Sequence, residues 1–182
     1  EPVVQPDPQK LLAKKMDAIF IMMNPGSSEP KNKNNNGRKM TEAEPDDTQF
    51  QLMRVMDKKN WQHVRVLNLS DLRATPCKEF YKKLREVAEI PSGEEHSIFT
   101  TSRRKNLEKI WMLKDNAPVV AAWGVADDLD ALIAQCMNYL NRKNVKPIGW
   151  LKSKTNDRFY HPWPRNEKAQ QDWINNILEL LP

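Results

Sequence analysis

Apolar residues fall in short blocks separated by charged, Asn-, Ser- and Pro-bearing segments. The first block, within Asp17 to Met23, is the continuous run Ile19-Phe20-Ile21-Met22-Met23, the signature of a strand buried on both faces. It stops abruptly at Asn24-Pro25-Gly26, followed by Ser27 and Ser28. Pro25 fixes its own φ and pushes Asn24 away from helical geometry, while Gly26 admits a backbone other residues adopt only at a cost. Three further blocks predict strands: Val64 to Leu69, Pro118 to Gly124 and the shorter Val145 to Trp150. The second of the four runs from apolar residues into Asn68, Ser70, Asp71 and Arg73.

Helical spacing occupies the intervals. A helix starting at Asp47, capped by Asp47 or Thr48, carries Phe50, Met53 and Met56 on its apolar stripe. Others are predicted from Phe80 to Val87, from Arg103 to Leu113 (Leu107, Ile110 and Trp111 inward), and from Asp127 or Asp128 onward (Leu129, Leu132, Ile133, Cys136 and Leu140 inward). A C-terminal helix from Glu167 to Leu181 turns Trp173, Ile177, Leu178 and Leu181 inward. Strands alternating with helices predict an α/β fold: a three-layer α/β/α sandwich around a central, mostly parallel four-stranded sheet, in one domain spanning 1–182. Residues 1–16 form an N-terminal arm in this reading. Glu29 to Asp47 holds almost no apolar side chain, which predicts a mobile polar surface loop that can lie on phosphates.

Composition narrows the classes. No apolar run approaches the roughly 18 residues of a membrane span, and none resembles a signal peptide, so a soluble, cytoplasmic protein is expected. The two cysteines, Cys77 and Cys136, are too few for a four-Cys iron–sulfur or zinc site, and no metal or cofactor is expected. Lys plus Arg number 29 against 24 acidic residues, a charge of +5 that suits a polyanionic partner. Six tryptophans supply flat surface that can fill a core or stack on bases.

Ligands of open α/β sheets bind at the carboxyl ends of the strands. Two of the predicted strands end in an asparagine, Asn24 and Asn68, so two polar groups converge on one sheet edge. Each candidate has a structural alternative: a tight surface turn at Asn24-Pro25-Gly26, a strand-end cap at Asn68, a structural histidine at His161, a local salt bridge between Asp71 and Arg73.

Four segments, taken in order, carry a resemblance: Ile21-Met22-Met23-Asn24-Pro25, Val66-Leu67-Asn68-Leu69, Ala121-Ala122-Trp123-Gly124 and His161-Pro162-Trp163-Pro164. In this pattern the chain resembles the uracil-DNA glycosylase superfamily, and more closely a related group catalogued as a domain of unknown function. Asn24-Pro25-Gly26 is similar to the mismatch-specific branch. The resemblance implies a uracil-DNA-glycosylase-like fold, with Asn24 handling the attacking water, Asn68 reading the pyrimidine edge and His161 donating to the departing base. Two residues depart from the pattern. Met22 replaces a glycine and alters the pocket floor. Trp163 replaces a serine, either as a wedge filling the vacated base stack or as packing under its loop.

N-glycosidic cleavage passes through an oxocarbenium-like sugar while the base leaves as an anion, so a positioned water and a donor to the base are the required parts. Asn68 offers a donor and an acceptor to a pyrimidine edge. Asp71 and Arg73 are placed beside it, and Ser27, Ser28, Lys152, Ser153 and Lys154 are candidate phosphate contacts. The expected function is a monofunctional, metal-independent, monomeric DNA glycosylase acting on a flipped-out, modified pyrimidine in duplex or single-stranded DNA. Hydroxymethyl- or glucosyl-hydroxymethylcytosine of phage DNA is the substrate suggested by Met22 and the polar insertion, with bacterial antiviral defence as the role. The alternatives are a non-catalytic DNA-binding module on the same fold and a hydrolase of free nucleotides or nucleosides.

Overall fold

Strand β1 (Ala18–Met22) is buried at every position, and alternate residues enter opposite cores. In this computed structural model, which describes residues 10–11, 13–32 and 41–182, β1 is the central strand of a three-stranded sheet. Residues 1–9 of the N-terminal arm and 33–40 of the insertion lie outside the described residues. Strands β4 (Val64–Asn68) and β5 (Val119–Ala121) both run parallel to β1, with Met22 level with Asn68 and Ile21 with Ala121.

Ile19 and Ile21 face a core built with Phe80 of α2 (Cys77–Ala88), Leu107 of α3 (Arg104–Ile110) and Leu132, Ile133, Cys136 and Leu140 of α4 (Asp130–Arg142). Ala18, Phe20 and Met22 face the other, filled by Leu52 and Val55 of α1 (Asp47–Lys59) and Trp173, Ile174 and Ile177 of α5 (Glu167–Leu180). The result is an α/β fold with helices on both faces of a parallel sheet.

The expected fourth strand is reduced to one residue. Ile148 bridges Val120, its N–H donating to the Val119 carbonyl at 2.8 Å and its carbonyl accepting from Ala121 at 2.7 Å. Pro147 has no N–H to extend the ladder, and after Gly149 the chain turns to pair antiparallel with Phe159. A side chain at Gly149 would place Cβ 2.4 Å from the Ala121 carbonyl, so only glycine allows the segment to approach so closely.

Three other expectations need correction. The inward face of α1 carries Gln51, Leu52 and Val55, whereas Phe50 and Met53 are 49% and 48% exposed. Gln51 sits inside because its Nε2 donates to the Gln170 carbonyl of α5 at 2.7 Å, satisfying the buried amide. The insertion is not wholly loop. Glu29–Pro30 (β2) and Ala43–Glu44 (β3) pair antiparallel, and the buried Ser28 hydroxyl donates to the Glu44 carbonyl at 3.0 Å. Backbone pairing holds this ribbon where apolar burial cannot. The cap of α1 is Asp46, in a capping box with Gln49, in place of Asp47 or Thr48.

Candidate active site at the strand carboxyl ends

A cavity of about 660 Å³ opens where β1, β4 and β5 end. Its wall includes Met22, Asn24, Gly26, Ser27, Ser28, Asn68, Arg73, Trp123, His161 and Trp163, so ten positions from all four sequence segments or their flanks share one space. The parallel register causes this. Leu69 N–H donates to the Met22 carbonyl and Ser70 N–H to that of Met23, carrying the two strands in step beyond the assigned sheet.

Asn24 is fixed by a double donation from Nδ2, to the Ala74 carbonyl at 2.9 Å and the Leu72 carbonyl at 3.3 Å. Two carbonyl acceptors can be met only by the NH₂ side of the amide, which leaves Oδ1 as the atom able to hold a water. Asn68 differs. Its Oδ1 is fully buried with no hydrogen-bond partner, in a residue lining the cavity. A buried polar atom without a partner costs free energy, so its occurrence at a cavity wall marks a place where an incoming donor is rewarded.

His161 is held neutral. Burial pushes its pKa down to about 4, against an opposing upward pull from the Asp46 carboxylate. Its Nδ1 accepts the Trp163 N–H at 3.2 Å, and a ring nitrogen that accepts carries no proton. The tautomer is therefore Nε2–H, a neutral donor. Trp123 is fully buried, its Nε1 donating to the Asp157 carbonyl at 2.9 Å and its ring edge-on to Phe159 at 5.3 Å. It is core that also closes the cavity floor.

The other candidates separate. Arg73 lines the cavity, but its guanidinium donates to the Ser28 carbonyl and so ties the loop after β1 to the loop after β4. Asp71 is not part of the cavity wall; it pairs with Arg103, which draws its carboxylate toward the start of α3. Ser27 is exposed at the wall, whereas the Ser28 hydroxyl is engaged by Glu44. Lys152, Ser153 and Lys154 form the exposed turn of the hairpin that returns to Phe159, outside the cavity wall.

Sequence reasoning missed several wall residues, among them Asp46, Gln49, Cys77 and Tyr81. Asp46 and Gln49 arrive at the N-terminus of α1, and Cys77 and Tyr81 on α2. The Tyr81 hydroxyl contacts the Met23 sulfur at 3.8 Å, and burial raises its pKa, so it stays a phenol. The Asp46-x-x-Gln49 capping signature was readable, but it announces a helix start and not a site. Among the described residues, no group of three or more His, Cys, Asp or Glu side chains is arranged to hold a metal ion. No helix among them is long and apolar enough to cross a membrane.

A family model described as Protein of unknown function (DUF1643) matches residues 9–163, a span that holds the first three sequence segments and all of the fourth except Pro164. No curated protein and no solved structure matches the chain.

Proposed function

We propose that the chain, which belongs to this family of proteins of unknown function (DUF1643), is a monofunctional DNA glycosylase of the uracil-DNA glycosylase superfamily. The observation that carries the reading is the meeting of Asn24, Asn68 and His161 on one cavity at the carboxyl ends of three parallel strands. Each has the free atom its role needs. Asn24 Oδ1 accepts from a water while Nδ2 is anchored. Asn68 Oδ1 lacks a donor, which the exocyclic amine or ring N–H of a pyrimidine supplies. Neutral His161 offers Nε2–H to the base as it departs with negative charge.

The nucleotide is extruded from the duplex into the cavity, and in this reading Trp163, a residue of the cavity wall, fills the vacated stack. Met22, where the resembled superfamily carries glycine, lines the cavity and contributes to selecting the base. The substrate we assign is a modified pyrimidine, hydroxymethylated or glucosylated as in phage DNA, and the biological role is antiviral. Purified protein incubated with uracil-containing, mismatched and phage-modified DNA, followed by alkali and by mass spectrometry of released base, tests the reading directly. Base release with abasic-site cleavage supports it. Salt-sensitive DNA binding without release would replace it by a binding module, and release from free nucleosides by a nucleoside hydrolase.

A further inference from the structure

Asn24 can hold a water but has no site for its proton. An amide oxygen is a very weak base, and the Asn24 amide nitrogen is committed to the Leu72 and Ala74 carbonyls. Water that bonds to an oxocarbenium carbon must lose a proton as the new C–O bond forms. His161 is poorly placed to take it, because its Nδ1 is occupied by the Trp163 N–H and its Nε2 already bears the ring proton. A carboxylate in the same cavity would take it as the bond forms.

We propose that Asp46 is the catalytic base of this site, an inference that rests on the glycosylase reading above. Asp46 stands at the N-terminus of α1, on the wall it shares with Asn24, Gly26 and His161. Its two oxygens do different work. Oδ1 accepts the Gln49 N–H at 2.9 Å and caps the helix, which holds the carboxyl plane in place. Oδ2 has no such role and lies against Gly26, so close that a Cβ there would sit 2.7 Å from it. The carboxylate thus reaches over the Asn24-Pro25-Gly26 turn itself. Asp47 also lines the cavity, but the carboxylate that lies against Gly26 is that of Asp46. Helix capping explains Oδ1; it does not explain why Oδ2 faces the turn that holds the water-binding asparagine.

The step balances without a further reagent. The C1′–N bond breaks and its electron pair leaves with the base, which accepts a hydrogen bond from His161 Nε2–H. Water held by Asn24 Oδ1 bonds to C1′ and passes one proton to Asp46 Oδ2. That proton then moves to the base anion or to solvent, restoring the carboxylate.

The test uses the full chain, a duplex oligonucleotide carrying a G·U mismatch and another carrying glucosyl-hydroxymethylcytosine, in single turnover. Asp46→Asn and Asp46→Ser both keep a capping side chain, and circular dichroism and melting verify that they fold. Loss of general-base catalysis is expected to slow base release ~100- to 10,000-fold in both variants. Azide, a nucleophile that needs no deprotonation, is expected to restore release in Asp46→Asn and leave a glycosyl azide detectable by mass spectrometry. Release by a folded Asp46→Asn protein within about threefold of wild type overturns the assignment of Asp46 and leaves the glycosylase reading standing. A large loss that azide does not repair also overturns it, since that pattern belongs to a positioning role. No base release by the wild-type protein from either duplex overturns the glycosylase reading, and the base with it.

Discussion

Asn24 and Ala74 lie 50 residues apart in the chain and are joined by a 2.9 Å hydrogen bond from Nδ2 to the backbone carbonyl. That bond, with its weaker companion to Leu72, makes the first-strand asparagine a structural clamp on the loop after β4 as well as a cavity residue. It follows that Asn24→Asp, which restores the carboxylate found at this place in part of the resembled superfamily, is not a gain here. It sets a negative oxygen against two carbonyls. We expect Asn24→Asp and Asn24→Ala each to lose about 2 kcal/mol of stability and to lose turnover. Urea unfolding and single-turnover base release check this, and an Asn24→Asp protein as stable as wild type and more active would refute the clamp.

Asn68 makes the opposite case. Its buried Oδ1 has no partner to lose, so removing the amide relieves an unsatisfied group. Asn68→Ala is expected to change unfolding free energy by less than about 1 kcal/mol while base release falls steeply. A change in stability as large as that at Asn24, with unaltered base release, would make Asn68 a strand-end cap.

The pKa of His161 carries a pH dependence whose sign can be worked out. The folded value lies near 4 and the unfolded value near 6.5, so between those limits the unfolded chain binds more protons. Stability from this residue is complete above pH 6.5 and is lost as pH falls towards 4, by about 3 kcal/mol at the outside. His63 and His96 are also held below their ordinary value by burial and add to the same slope. Unfolding free energies of wild type and His161→Ala between pH 7 and 4 are expected to converge as pH falls. Parallel curves would show a histidine that titrates normally.

Gly26 is at φ 63°, and a Cβ on it would meet Asp46 Oδ2 at 2.7 Å. Gly26→Ala therefore carries a left-handed backbone cost of roughly 1–2 kcal/mol plus a collision with the carboxylate. In an Asp46→Ser background the collision is relieved and only the backbone cost remains. A double-mutant cycle measured by urea unfolding is expected to show this coupling, and additive costs would place Asp46 away from the turn.

Much of the fold is legible in the chain because it depends on local pattern. Continuous apolar runs mark β1 and β5, a run broken by Arg65 marks β4, and the alternation of Ile19 and Ile21 with Phe20 already separates the two cores. The helices were readable from their periodicity to within a few residues. Helix α1 was harder, because apolar residues at 50, 52, 53, 55 and 56 trace two overlapping stripes. Only the packing of Leu52 and Val55 against α5, with Gln51 bonded to the Gln170 carbonyl, selects one.

For the site the division is sharper. Sequence by itself determined which strand ends carry Asn24, Asn68 and Trp123-Gly124, and where His161 follows them, since those positions are set by where each apolar run stops. Tertiary structure alone decided which atoms are free. Asn24 Nδ2 is consumed by Leu72 and Ala74, the Asp71 carboxylate is taken by Arg103, and Asp46 arrives over Gly26 from the start of another helix. The physical reason is range. Strand and helix signals are written within a few residues, whereas a hydrogen bond or charge contact between distant segments exists only once the sheet has brought them to one edge.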